Sequence, residues 1–264
     1  MKFGLNRAQL KNIALVFMVL DNLWLRCSSL LSPIVHPITR FVSPLFAWLM
    51  VDGFFHTKSR GKYCARLWIA AIITQIGSVI SYIVFNGDGI SDNIFLTLAF
   101  GFTIIWLFDI AKNTQETGKK YMLKVAAILM TFVALILFIP LPFGNYIMLE
   151  GGIQLIPFIL FAYFFHDSKA KQAIAIIIYS IFMFFAFYGG FEGIQNSFQM
   201  FCFNSDWMTL LVVPFIFLYN GQEGRKTAFS KWFFYVFYPL HLWVIAIIEI
   251  LYITPKLNKS QNNP

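Results

Sequence analysis

The feature that most constrains this chain is a succession of long apolar runs, separated by short polar links. Stretches such as 94–108 and 125–139 contain no charged residue at all. Crossing a bilayer takes about 20 apolar residues in a helix, and the crossing segment must satisfy its own backbone hydrogen bonds. Only helices and closed barrels meet that condition. The runs are continuous rather than alternating, so helices are expected. Composition points the same way: 59% of the 264 residues are hydrophobic and 12% are charged. A soluble domain carries about 25% charged residues, enough to coat a water-facing surface. The 32 Phe, 11 Tyr and 7 Trp are also too many for one soluble core. The expected fold is an all-α, polytopic membrane helical bundle with lipid as the solvent for most side chains.

Nine spans are predicted, at about 10–31, 41–57, 64–85, 93–111, 122–140, 146–165, 172–190, 206–220 and 232–253. Breakers punctuate the links: Ser32-Pro33, Lys58-Ser59-Arg60-Gly61, Asn86-Gly87-Asp88-Gly89, Pro140-Leu141-Pro142 and Asn220-Gly221-Gln222-Glu223-Gly224. The eighth span is short and contains Pro214. With the N-terminus inside, sixteen of the twenty basic residues fall in cytoplasmic segments. Arg26, Arg40, Lys256 and Lys259 fall outside, with Asp88, Asp92, Glu192 and Asp206 in the same outer loops. Basic residues collect on the cytoplasmic side of membrane proteins, which places the C-terminus outside. The expected location is a bacterial cytoplasmic membrane, crossed many times. The net charge of +8 is then a topology signal rather than a nucleic-acid surface. Cys27, Cys64 and Cys202 lie far apart, with neither metal-site nor disulfide spacing. No cleavable signal peptide, internal repeat or second domain is visible, so residues 1–264 are expected to form one integral-membrane domain, ordered over about 8–253 with a polar tail at 254–264.

Ionisable residues inside spans cost roughly 2.5–3.5 kcal/mol on insertion scales and so point to function. Asp21 lies ten residues beyond Lys11, and His241 ten beyond Lys231. At about 1.5 Å per residue, both sit roughly 15 Å into a core of about 30 Å. Asp21 is a candidate functional acid or a neutral packing residue. His241 is a candidate base, or an imidazole satisfying a carbonyl freed by Pro239. Gln75 falls at a similar or slightly outer level. Asp52 and His56 share one helical face, either as a carboxylate–imidazole contact or as a polar helix end. Glu150 opens the sixth span before Gly151-Gly152, and Asn93 and Thr97 sit at the outer end of the fourth. Arg26, on the face of Asn22, is expected to snorkel or pair. Soluble-enzyme motifs are absent: no G-x-S-x-G, no phosphate-binding G-x-x-x-x-G-K-[ST], no H-E-x-x-H. The four histidines lie on separate segments, so no metal site is expected.

Several blocks resemble the TraX family, whose founding member acetylates F-type pilin. They are Ile13-Ala14-Leu15-Val16-Phe17-Met18-Val19-Leu20-Asp21-Asn22, Arg40-Phe41-Val42-Ser43-Pro44-Leu45-Phe46-Ala47, Gly53-Phe54-Phe55-His56-Thr57 with Tyr63 and Arg66-Leu67, Asn93-Ile94-Phe95-Leu96-Thr97-Leu98, Gly151-Gly152-Ile153, Leu218-Tyr219-Asn220-Gly221 with Gly224, and Phe237-Tyr238-Pro239-Leu240-His241-Leu242. They run in order from about residue 7 to 245. The last block is also similar to the final span of the membrane acyltransferase family three.

The resemblance implies an integral-membrane acetyltransferase with acetyl-CoA as donor. The acceptor would be a peptide or pilin N-terminus, a glycan or a lipid. Asp21, position 22 and His241 would be the catalytic set. Asp52, His56, Lys58, Arg60, Lys62 and Arg66 would hold the donor, with the closely spaced basic residues as an anion cradle or, alternatively, as topology signals alone. One departure matters: the family reads Asp-His where this chain reads Asp21-Asn22. Asn takes no proton at neutral pH, although it both donates and accepts hydrogen bonds. Acetyl-CoA binding with weak or absent turnover is therefore expected. The alternatives are a non-catalytic pseudoenzyme, which Asn22 suggests, and a small-solute transporter, which polar residues at mid-depth and Pro-interrupted spans suggest.

Overall fold

The computed structural model describes residues 4–26, 31–85, 89–141, 144–187, 198–224 and 228–253. Cys27, Asp88, Glu192, Arg225, Lys226, Lys256, Lys259 and the tail at 254–264 lie outside the described residues. The chain is dominated by helices: α1 Arg7–Arg26, α2 Val35–Thr39, α3 Val42–His56, α4 Arg60–Val84, α5 Ile94–Asn113, α6 Thr117–Ile136, α7 Gly152–Phe164 and α8 Lys169–Phe187. There follow α9 Phe198–Phe203, a 3-10 turn Met208–Val212, α10 Val213–Leu218, and α11 Ala228–Ile248 with a π-helical turn Glu249–Ile253. Five helical segments among the described residues are long and apolar enough to cross a membrane: Val35–His56, Arg60–Val84, Ile94–Asn113, Lys169–Ala186 and Phe233–Leu251. Gly152–Phe164 and Met208–Leu218 are shorter apolar helices. The helices α1 and α6 are 20 residues each.

One part of the chain departs from the all-helical expectation. Residues assigned to the end of the fifth span and the start of the sixth form an antiparallel β-hairpin, β1 Phe138–Pro140 with β2 Tyr146–Met148. Pro140 cannot extend a helix, because it lacks the N–H and clashes with the preceding turn. Asn145 anchors the bend: it is 2% exposed, its carbonyl accepts from Leu141 N at 2.7 Å, and its side chain accepts from Tyr146 N at 2.6 Å. The sixth segment starts as a helix only at Gly152, after Gly151 takes the left-handed conformation (φ 62°) that a Cβ disfavours.

The chain divides into two compact units, residues 43–177 and residues 1–42 with 178–264. In the first of these, α5 is the central helix. It is apolar nearly all round and buried along its length, as expected of a helix surrounded by others. Its neighbours α4 and α6 show the reverse of a soluble pattern, while α7 packs large apolar side chains such as Leu155, Ile156, Phe158 and Ile159. On α4 the buried positions include Cys64, Leu67, Ala71, Thr74, Ser78 and Ser81, a seam spaced three and four residues apart, with Ala70 beside it. Its exposed positions are Ile69, Ile72, Ile73, Ile76, Ile80 and Ile83. On α6 the buried residues are Ala127 and Ala134, while Val125, Leu129, Phe132 and Ile136 face outward. Small and weakly polar side chains let helix backbones approach where lipid, not water, surrounds them. Water would invert that arrangement. Asn93 starts α5 by accepting from Leu96 N at 3.2 Å and ties it to α4 by donating to Ala71 O at 3.1 Å. Gly101 faces Ile159 of α7 so closely that an added Cβ would collide with its Cδ1.

In the other unit, α1 begins with a reciprocal cap: Asn6 Oδ1 accepts from Gln9 N, and Gln9 Oε1 accepts from Asn6 N, both at 2.9 Å. Just before it, Leu5 forms a parallel bridge with Tyr219, through Leu5 N to Leu218 O (2.8 Å) and Asn220 N to Leu5 O (3.0 Å). The glycine-containing link after α10 closes over this start. At Gly224 (φ 78°) an added Cβ would lie 2.7 Å from Asn6 Oδ1. The helices α1 and α11 pack against each other, as do α1 and α2.

Candidate functional site

The polar residues of α1 address different neighbours because consecutive helical positions are about 100° apart. Asn22 faces α11. Its Nδ2 donates to Met18 O at 2.9 Å and lies 3.2 Å from His241 Nε2. His241 is 6% exposed, and its Nδ1 lies 3.0 Å from Phe237 O. A carbonyl only accepts, so the neutral imidazole carries its proton on Nδ1 and offers Nε2 as a lone pair. The Asn22 amide N–H occupies that lone pair. The carbonyl partner is that of Phe237, rather than the Tyr235 carbonyl that Pro239 frees, and the Phe237 ring lies parallel to the imidazole at 5.3 Å.

Asp21, expected to share the site with His241, turns instead toward α2. Its Oδ1 accepts from Arg40 Nη2 and from Thr39 Oγ1, the latter at 2.5 Å. Arg40 is the hub of this cluster: Nη1 donates to Asp206 Oδ1 at 2.6 Å and Nε to His36 O at 3.1 Å. An arginine suits such a position because its planar fork carries five donors in fixed directions. His36 completes the group, with Nδ1 2.9 Å from Cys202 O and 2.8 Å from Ser205 Oγ. Its ring centroid lies 4.3 Å from Trp24. Arg26, at the end of α1, pairs with Glu249 at 2.9 Å.

The residues expected to hold the donor lie in the other unit and are described by themselves. His56 Nδ1 bonds Asp52 O at 2.8 Å and approaches the Asp52 carboxylate at 3.5 Å, so the i,i+4 contact forms at the end of α3. His166, in the turn after α7, stacks on Phe55 at 3.6 Å. Loss of water there holds its pKa below the usual imidazole value. Arg60 pairs with Asp109 and lies 4.2 Å over the Phe54 ring. Asp109 is 9% exposed. Lys58 and Lys62 are exposed, while the Arg66 guanidinium lies 5.5 Å over Tyr63.

The sequence reading thus missed Arg40, Asp206 and His36 as members of a cluster, and Asp109 as the acid of a pair. A signal did exist for Arg40: among residues 27–57 it is the only Lys or Arg, and it follows two segments that are otherwise apolar or small. A lone arginine away from the basic loops has no topological role and needs a carboxylate.

A model of the TraX protein family matches residues 6–249. Over 248 residues the chain is 23% identical to the "Probable fimbrial assembly protein FimC, serogroup H1" of Dichelobacter nodosus, covering 90% of this chain and 93% of that protein. No solved structure matches. The family match runs from the cap of α1, through the Asp21 and Asn22 neighbourhoods, to the π-helical turn beyond His241, and the chain belongs to the TraX family.

Proposed function

We propose that the chain is an integral-membrane acetyltransferase, moving an acetyl group from cytosolic acetyl-CoA to a hydroxyl or amine acceptor, with low turnover because Asn22 stands where the family carries histidine. It crosses a bacterial cytoplasmic membrane nine times, with its N-terminus inside and its C-terminus outside. Helical segments among the described residues at the predicted positions, five of them long and apolar enough to cross a membrane, and the asymmetry of basic residues support that topology. The observation that carries the functional reading is the Asn22–His241 contact between the first and last long helices, beside the Asp21–Arg40 pair. Polar groups inside apolar helices are costly and are kept where chemistry uses them.

Asp21, Asn22 and His241 are the reaction set, with Asn22 holding the place of the base and His241 its neighbouring imidazole. Lys58, Lys62 and Arg66 supply cations for a nucleotide phosphate, with Asp52 and His56 beside them. Arg60 contributes less, being already paired with Asp109. The relative's printed role in fimbrial assembly makes a peptide N-terminus the acceptor to try first, ahead of glycans and lipids. A general base is worth roughly 10²–10⁴-fold in rate. Asn22→His is therefore expected to raise acetyl transfer by about 100-fold or more, with acetyl-CoA affinity by calorimetry little changed. Absence of acetyl-CoA binding would remove the donor assignment.

One observation favours a second reading. The Asn22 amide covers the only lone pair of neutral His241, as expected of a pseudoenzyme that binds and does not turn over. In that case Asn22→His binds acetyl-CoA and stays inactive. Solute flux in proteoliposomes without acetyl-CoA would favour a transporter instead.

A further inference from the structure

Within residues 43–177, the junction of α3, α7 and α8 carries a short stack of rings. Tyr163 of α7, Phe55 of α3 and His166 in the turn after α7 lie nearly parallel. Phe55 is 5.6 Å and 13° from Tyr163, and 3.6 Å and 19° from His166. The buried Phe54 ring stands edge-on to both Phe55 (5.4 Å) and Tyr163 (5.8 Å), which fixes the two inner rings. The turn that carries the outer ring is held as well. The His166 backbone N–H donates to Tyr163 O at 3.4 Å. Gln172 Nε2 donates to Ala162 O at 2.8 Å, and Gln172 Oε1 accepts from Trp48 Nε1 at 3.1 Å, tying α8 to α7 and α3. The stack therefore ends on a ring placed in advance. His166 is exposed, and Phe55 covers one face of its imidazole, so the exposed area lies on the opposite face and the edges.

The rim of that face says what fits on it. The titratable groups facing His166 are Asp52, Asp167 and His56. Two carboxylates repel a phosphate set on the ring, but they accept from a flat, neutral group that carries N–H donors. The imidazole is itself neutral near neutral pH, because loss of water holds its pKa below the usual value. A neutral aromatic face bordered by acceptors suits a nucleobase with an exocyclic amine, and bases stack on His as they do on Phe, Tyr and Trp. Cations for the rest of a nucleotide lie on the links and helix starts of the same unit, at Lys58, Lys62 and Lys169.

We infer that the exposed face of His166 is the adenine subsite for the donor, where the base stacks as a fourth ring beyond Tyr163, Phe55 and His166 and its amino group donates to the carboxylate rim. This rests on the acetyl-CoA reading and deepens it, leaving the phosphates to the lysines. Every residue it uses belongs to the unit of residues 43–177. His166 here is a binding residue and moves no proton.

The test uses the full-length protein in detergent, with CoA affinity read by calorimetry and adenosine 3′,5′-bisphosphate as a competitor that carries the base without the pantetheine arm. Stacking a base on an aromatic ring is worth roughly fivefold to 150-fold in affinity by alanine substitution. His166→Ala is therefore expected to weaken CoA and the bisphosphate by the same factor, about tenfold, with the parent's thermal midpoint. His166→Phe keeps a flat ring and removes both nitrogens; it should restore both affinities to within about twofold of the parent. A ring that only braces the turn would leave CoA affinity unmoved by His166→Ala, and one that acts through charge would not be replaced by Phe. Either result overturns the inference while CoA binding by the parent keeps the donor reading standing. A parent that binds neither CoA nor the bisphosphate removes the donor reading, and the adenine subsite with it.

Discussion

Replacing Arg40 by Met tests the charge cluster, because Met keeps most of the side-chain volume and removes all five donors. Two carboxylates then lose their counter-ion, but unequally. The Asp21 side chain is 17% exposed and that of Asp206 is 34% exposed. Removing one partner of a buried pair costs roughly 3–5 kcal/mol, because the remaining charge is left uncompensated. An exposed pair contributes roughly 0–1 kcal/mol. Asp21 should therefore account for most of the loss, with Thr39 the one donor left to it among the described residues. At about 2–4 °C per kcal/mol, the thermal midpoint should fall by about 10 °C, measured at one fixed heating rate because unfolding of such a chain is treated as irreversible. The deciding measurement is the second substitution. Asp21→Asn in the Arg40→Met background removes the orphan charge and should recover about 2 kcal/mol relative to the sum of the single changes. Asp206→Asn should recover less than about 1 kcal/mol. If Asp206→Asn rescues as well as Asp21→Asn, or if the single changes simply add, Arg40 does not neutralise a buried Asp21.

Two further expectations concern the frame around the site. Asn93→Ala removes the cap of α5 and the bond to Ala71 O, and should lower stability by about 1–2 kcal/mol, read as a lower midpoint that Asn93→Asp partly restores. Gly224→Ala places a Cβ at a positive φ and against Asn6 Oδ1, disturbing the α1 cap; a loss of about 1–2 kcal/mol is expected, and a neutral result would show that this link yields freely.

Much of the frame was legible from residue order because the signals are local. Ser59, in a predicted link, starts α4 by accepting from Lys62 N, and Asn93, at a predicted boundary, starts α5; each acts within four residues of itself. Where locality failed, a competing local rule won: Pro140 and the Asn145 turn took the ends of two expected helices into a hairpin. The site was less legible. Asp21 and His241 were picked out as polar residues at mid-depth, and Asn22 through the family resemblance, but hydropathy carries no information about which polar residues touch. It could not say that Asp21 would turn to Arg40.

The sequence by itself determined that this chain is helical and lives in lipid. Its apolar runs leave the backbone no other way to satisfy its hydrogen bonds, and its scarce charges cannot cover a wet surface. Which charge meets which was decided only by the tertiary structure. Asn22 and His241 are 219 positions apart, and Arg40 and Asp206 are 166. Pairs so distant are chosen by how helices pack and rotate, and a rotation of one residue along α1 is enough to exchange an acid for an amide opposite His241.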